Sequence, residues 1–387
     1  MTLRDSYLPY GKQWIEEDDI EAVLQVLKSD FLTTGPTVAC FEQKVAKYVG
    51  AKYAVAFSNG TAALHGACFA AGIGEGDEVI TTPITFAASA NCVRYVGGTV
   101  VFADIKEDTY NIDPLEIEKK ITPNTKAIIP VHFTGQPVQL DEIHTIAKRH
   151  NLIVIEDAAH ALGAEYKGQK IGALSDMTMF SFHPVKHITT GEGGIITTNS
   201  KKYYEKLLQF RGHGITRNPK ALTENHGPWY YDMELLGYNY RMTDLQAALG
   251  CSQIKKIDGF VKRRKEIVVA YNDALCDFLE VQTPYQYLET DSSWHLYVLK
   301  LQLDKLTVSR KEVFEELHKL NIGVNVHYIP VHTLSYYQEL GYKKGSLPKA
   351  EQLYEEIISL PLYPLMQDQD IQDVIEAVKL VIKRGRK

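Results

Sequence analysis

The stretch KAIIPVHFTGQPVQLDEIHTIAKRHNLIVIEDAAH, residues 126–160, decides the fold. It opens on the apolar run Ala127–Val131, continues with apolar positions at helical spacing over Leu140–His150, and returns to an apolar run at Leu152–Ile155. A short run with no polar alternation reads as a strand buried on both faces, and a helix between two such strands reads as a crossover in a parallel sheet.

Outward from this unit the pattern repeats. Ala54–Phe57, Glu78–Thr81 and Thr99–Ala103 are apolar runs before it, and Met177–Phe182 and Gly194–Thr197 follow it. Helical spacing fills the gaps at Thr61–Ala71, Phe86–Val96 and Leu115–Ile121. The reading is an α/β domain with a large, mostly parallel sheet over residues 15–245. After Arg241 the character changes. One long helix is expected over Thr243–Phe278. A strand near Leu296–Leu301 and helices near Arg310–Leu320 and Asp370–Ile382 then make a smaller C-terminal α+β domain, 246–387, with residues 1–14 packing against it.

Composition bounds the function. The 387 residues are 45% hydrophobic and 23% charged, enough for a sizeable core without disulfides or a structural metal. Net charge is −6, with no long basic run, which argues against nucleic-acid or anionic-membrane partners. No apolar stretch reaches the about 20 residues a bilayer span needs. The start, Met1 to Tyr7, is polar and unlike a signal peptide. Five scattered cysteines (Cys40, Cys68, Cys92, Cys251 and Cys276) read as reduced thiols. The expectation is a soluble cytoplasmic protein.

Ligands of open α/β sheets collect at the carboxyl ends of the strands. The first strand runs into Ser58-Asn-Gly-Thr61 and a helix start, where unpaired N–H groups of Gly60, Thr61 and Ala62 suit a phosphate. Glu78–Thr81 leads to Pro83-Ile-Thr-Phe86, with Phe86 a flat face for stacking. Leu152–Ile155 ends in Glu156-Asp-Ala-Ala-His160, placing the Asp157 carboxylate where it can hold a protonated ring nitrogen. Met177–Phe182 brings the Ser181 hydroxyl and ends in His183-Pro-Val-Lys186, whose amine becomes nucleophilic if desolvated. Alone, each has an ordinary reading: a turn, a core phenylalanine, a helix cap, a surface lysine. Jointly they meet the needs of pyridoxal 5′-phosphate.

Phe180-Ser-Phe-His-Pro-Val-Lys-His-Ile-Thr-Thr-Gly-Glu-Gly-Gly194 resembles the cofactor-lysine signature of the nucleotide-sugar aminotransferases, the DegT/StrS group. Gly60-Thr-Ala-Ala-Leu64, Pro83–Phe86, Glu156–His160 and Gly237-Tyr-Asn-Tyr-Arg-Met242 follow the same family in the same order. The resemblance runs from Leu32-Thr-Thr-Gly35 to Val326-His-Tyr-Ile-Pro330.

It implies a fold-type I aminotransferase acting as a homodimer with shared active sites. Lys186 would join the cofactor covalently, Asp157 pair with the ring nitrogen, His160 lie by the ring and Phe86 stack on it. Gly60, Thr61 and Ser181 would hold the phosphate, with Asn239 reaching over from a partner subunit. Lysine rather than histidine at 186 favours transamination over dehydration.

Among family members the chain looks most like those of pseudaminic-acid synthesis, although Gly191 stands where alanine is common. That implies transfer from glutamate to C4 of a UDP-linked 4-keto-6-deoxy-N-acetylhexose of the L-altrose series. Tyr10, Phe31, Leu32, Thr33, His327 and Tyr328 are then candidate sugar-nucleotide contacts; Tyr10 and Tyr328 also read as packing residues. The alternatives are another dTDP-, GDP- or UDP-linked 4-keto or 3-keto hexose, or a non-catalytic cofactor-binding regulator.

A nicotinamide fingerprint is not supported, since Gly72-Ile-Gly-Glu-Gly76 follows a helix and precedes a strand. No metal site is expected, because Pro184 disfavours the helix that would align His183 with His187.

Overall fold

The computed structural model describes residues 4–387; Met1 to Leu3, part of the N-terminal segment expected to pack on the smaller domain, lie outside the described residues. Two helices, α1 (Glu17–Leu27) and α2 (Pro36–Val49), precede the sheet. The α/β run follows as β1 (Tyr53–Phe57), α3 (Gly60–Ala71), β2 (Glu78–Thr81), α4 (Ala88–Tyr95), β3 (Thr99–Phe102), α5 (Pro114–Lys120), β4 (Thr125–Ile129), α6 (Leu140–His150) and β5 (Ile153–Asp157). A two-residue hairpin, β6 (Glu165–Tyr166) and β7 (Gln169–Lys170), leads to β8 (Met177–Ser181), β9 (Gly194–Thr198) and α7 (Lys201–Arg211).

Seven strands pair in the order β1-β9-β8-β5-β4-β2-β3. Only β9 runs against the others, pairing antiparallel with β1 and β8. The carboxyl ends of the remaining six therefore share one edge, and β9 begins there. Apolar residues cover both faces. Val55, Phe57, Val79 and Ile129 pack toward α3 and α4, while Ala56, Ile80, Ile128 and Val154 pack toward α2 and α6.

The helix expected over Thr243–Phe278 is two. After the short pair β10 (Ile215–Thr216) and β11 (Asp232–Met233), α8 covers Asp244–Gln253 and α9 covers Ile257–Leu275. The chain tightens between them through Lys255 N–H to the Ser252 carbonyl and Lys256 N–H to the Gln253 carbonyl. Lys256 Nζ is drawn to the start of α1, 2.9 Å from Glu16 and 3.0 Å from Asp19. Polar partners on another element, invisible to helical periodicity, end α8. Residues of α9 then divide between cores: Ile257, Phe260 and Val261 join the sheet layer, whereas Ile267, Val268, Tyr271 and Leu275 join a third core.

That third core lies under a small antiparallel sheet, β12 (Val281–Gln282), β14 (Tyr297–Leu301) and β15 (Ile357–Leu360), reached past β13 (Thr290–Asp291), which pairs with β6. The other C-terminal helices are α10 (Arg310–Lys319), α11 (Ser335–Glu339), α12 (Pro348–Glu356) and α13 (Asp368–Gly385). Leu8 packs in this core and bridges to Ile322.

Candidate active site

At the shared strand edge lies a cavity of about 840 Å³, within the range of small-molecule sites. Its floor comes from the large sheet and one wall from the segment 325–328, which lies before the last strand of the small sheet.

The end expected to take a phosphate is built by the start of α3. Asn59 caps the helix, its side chain accepting a hydrogen bond from Ala62 N–H at 2.8 Å. Of the three N–H groups expected to be open, that of Ala62 is thus taken. Gly60 and Thr61 keep theirs at the helix's positive end, and both line the cavity. Ser181 closes the seat from β8. A Cβ on Gly60 would lie 3.4 Å from Ser181 Oγ, so the two strand ends are in contact. Beside them Gly194 opens β9, where a Cβ would fall 2.5 Å from the Asn59 carbonyl oxygen. Only glycine lets β9 come so close.

Asp157 ends β5 and is buried. Ser89 Oγ donates to Oδ2 at 2.6 Å and Ala159 N–H to Oδ1 at 3.1 Å, leaving each oxygen a lone pair for a further donor. Burial pushes the carboxyl up from its usual range, opposed by Ser89, Ala159 and the Lys186 charge. A cationic ring nitrogen is the partner that would offset that burial.

Lys186 follows β8 and opens into the same cavity. Burial pulls its ammonium down to about 8; Asp157 opposes the shift and Arg264 adds to it. Such an amine is uncharged often enough near neutral pH to attack a carbonyl. His160 is buried, its Nε2 3.1 Å from the Tyr328 hydroxyl and its Nδ1 without a partner. Burial and the nearby Lys186, His327 and His187 hold His160 well below the ordinary histidine range, so it is neutral. Phe86 is 64% exposed at the cavity mouth, which rules out a core role and leaves its face free.

The cavity thus gathers Gly60, Thr61, Phe86, Asp157, His160, Ser181 and Lys186, with Tyr10, His327 and Tyr328. Tyr10 and His327 pack with ring centroids 5.3 Å apart, and His327 Nδ1 lies 2.8 Å from Ser359 Oγ. Four expected residues do not line it. Phe31, Leu32 and Thr33 are exposed beside the start of α8, where Asp244 N–H donates to the Leu32 carbonyl and Thr33 bridges to Thr243. Asn239 is exposed between Tyr238 and Tyr240, which are tied to the backbone of Phe210 and Arg211. Sequence reading missed Asn59, Ser89 and His295. Asn59 carried a legible signal as a cap residue before a helix; Ser89 and His295 touch the site only through the fold.

Phosphate seat, carboxylate and lysine fit pyridoxal phosphate, and the family comparison agrees. A sequence model of the DegT/DnrJ/EryC1/StrS aminotransferase family matches residues 13–379. The chain belongs to this family. Among its relatives, the spore coat polysaccharide biosynthesis protein SpsC of Bacillus subtilis is 45% identical over 98% of both chains. Among solved structures, Helicobacter pylori PseC, an aminotransferase of pseudaminic acid biosynthesis, superposes with a TM-score of 0.91 at 34% identity, covering 98% of this chain and 100% of that one. The pyridoxal-phosphate form of a sugar aminotransferase from Streptococcus pneumoniae, Spr1654, gives 0.91 at 32% identity over 98% and 99%. This member of the family is therefore a fold-type I, pyridoxal-phosphate-dependent sugar aminotransferase. Among the described residues no helix is long and apolar enough to cross a membrane, and no cluster of side chains is arranged to hold a metal ion.

Proposed function

We propose that the chain moves an amino group from glutamate to C4 of UDP-2-acetamido-2,6-dideoxy-β-L-arabino-hexos-4-ulose. The product would be UDP-4-amino-4,6-dideoxy-N-acetyl-β-L-altrosamine, a precursor of pseudaminic acid. The observation behind the chemistry is the placement of Lys186 and Asp157 in one cavity with the Gly60–Thr61 helix start. The similarity to PseC supports the sugar.

In this reading Gly60, Thr61 and Ser181 hold the phosphate, Asp157 keeps the ring nitrogen protonated, and Phe86 and His160 lie against the ring. Bound there, the cofactor supplies an electrophilic carbon and a ring able to take up negative charge. Lys186 holds the cofactor, is released when glutamate enters, and then takes a proton from the donor's α-carbon as general base. The neutral amine that burial favours is the form this step needs. Tyr10, His327 and Tyr328 face the sugar from the opposite wall. Asn239 and Phe31–Thr33 would serve the active site of a partner subunit in a homodimer. Five free cysteines fit a reducing compartment and support the reading of a cytoplasmic enzyme.

A second reading is favoured by the greater identity to SpsC than to PseC: a different nucleotide-linked keto hexose, bound for a polysaccharide. Purified protein should show a yellow absorption band that glutamate bleaches, and Lys186→Ala should lose both the band and turnover. A panel of UDP-, dTDP- and GDP-linked keto sugars then separates the readings. No amination of the UDP L-altrose-series sugar removes the first, and a glutamate-insensitive band removes transamination from glutamate.

A further inference from the structure

His295 lies outside the α/β domain, in the turn that leads into β14, yet it reaches the reacting lysine. Its Nε2 is 3.5 Å from Lys186 Nζ. The turn that delivers it is tied on several sides. His295 N–H donates to the Thr134 carbonyl and Ser293 N–H to the Gly135 carbonyl. Ser293 Oγ donates to the His160 carbonyl at 2.9 Å, and His187 Nε2 bonds the Ser293 carbonyl at 3.0 Å. The buried Arg264 guanidinium donates through Nη1 to the carbonyls of Trp294 and His295.

Trp294 itself sits at φ +52, a left-handed conformation that costs a bulky residue energy and persists only where its surroundings impose it. The facing backbone is shaped to match. A Cβ on Gly135 would lie 2.8 Å from both Trp294 N and the His160 carbonyl oxygen. So much fixing for one side chain is not needed to fill a core.

We propose that His295 is a positioning residue whose Nε2 accepts a hydrogen bond from Lys186 Nζ and fixes where that amine points whenever it is not joined to the cofactor. This rests on the reading of Lys186 as the proton-transfer base. An ammonium only donates, so its neighbour must accept, and Nε2 accepts only if the imidazole is uncharged and carries its proton on Nδ1. The surroundings favour the uncharged form; Nδ1 is buried with no partner among the described residues, so the proton it carries in this tautomer is unshared. His295 faces Lys186, His160, His187 and Arg264, and burial, with the charges of Lys186 and Arg264, holds it well below the ordinary histidine range. Around Lys186, Asp157 favours the ammonium and His327 is itself pulled down to about 4 by burial and by Lys186; Tyr10, His183, Glu192 and Tyr328 line the same cavity. His295 is thus the acceptor that keeps Nζ aimed while a proton rests on it between two carbon atoms.

The test uses two variants and one readout independent of turnover. In the cofactor-free protein, the pH dependence of Lys186 modification by dinitrofluorobenzene, followed on its peptide, gives the amine's titration. His295→Leu removes the acceptor and should lower that titration by about one pH unit; His295→Gln, which can return an oxygen near the Nε2 position, should stay within a few tenths. In single turnovers of the holoenzyme with glutamate, His295→Leu should slow amine transfer on the order of 10–100-fold with little change in KM. It should also enlarge the isotope effect of α-deuterated glutamate, and the Gln variant should recover most of the rate.

If His295→Leu does not fold, His295→Asn, which stops short of Nζ, replaces it. A wild-type titration and isotope effect in the Leu or Asn variant would overturn the proposal while Lys186→Ala remains inactive. An active Lys186→Ala enzyme would instead overturn the reading on which it rests.

Discussion

Asp157 and Lys186 stand at the ends of adjacent strands, and burial moves both toward their uncharged forms. For the lysine this has a measurable sign. A folded value near 8, below the usual lysine range, means that lowering the pH through 8 charges the amine and blocks attack on a carbonyl. Capture of pyridoxal phosphate by the cofactor-free protein should therefore slow about tenfold per pH unit below 8 and level off above it. Stopped-flow absorbance would show this; a rate still climbing toward about 10.4 would mean that Lys186 behaves as a solvent lysine. Both residues were legible in the chain because each follows a buried strand within a few positions. His295 was not, because 109 residues separate it from Lys186 and only the docking of the small sheet brings them together.

At the scale of elements, the site depends on how closely β9 approaches the start of α3. Gly194 shares its antiparallel pairing with Phe57 and Ser181, so it touches both strands that present the phosphate seat. In Gly194→Ala the new methyl would meet the Asn59 carbonyl oxygen at 2.5 Å and Gly60 Cα at 2.7 Å, and neither is a side chain that can swing away. The expected result is a loss of about 1–3 kcal/mol of stability from overpacking, seen in denaturant unfolding. Because the displaced atoms belong to the seat, cofactor affinity should fall as well, by about tenfold or more in a pyridoxal-phosphate titration. Equal affinity in the folded variant would show that the seat lies elsewhere.

Most of these elements could be read from apolar runs and helical spacing, since burial on both faces leaves a simple pattern. The break between α8 and α9 could not, because it depends on Lys256 meeting Glu16 and Asp19 across more than 230 residues of sequence. We propose the domain division at 245/246, with α8 and the first half of α9 carried back onto the sheet layer as the connection.

For the whole molecule, Asn239 bears on whether two copies of the chain share the site. Asn239 is held rigidly: Ser58 N–H, beside the phosphate seat, donates to the Tyr240 carbonyl, and His65 of α3 packs against the rings of Tyr238 and Tyr240. Yet Asn239 does not line its own cavity. On the segment before Asn239, Trp229, Met233 and Leu236 are 72%, 57% and 76% exposed. We propose that these exposed apolar side chains meet a second copy of the chain. If two copies face each other with twofold symmetry, each Asn239 reaches the partner's phosphate seat.

Complementation tests this directly. Lys186→Ala and Asn239→Ala should each be impaired alone, the first without its base and the second without a phosphate contact. Mixed, unfolded and refolded together in equal amounts, about half of the dimers should be hybrids in which one of two sites has both residues, restoring about a quarter of wild-type sites. Recovery of that size, with a dimer in sedimentation, requires that Lys186 and Asn239 act from different chains. No recovery despite efficient hybrid formation would place both residues in one chain's site, and Asn239 would then have to move into a cavity it does not now touch.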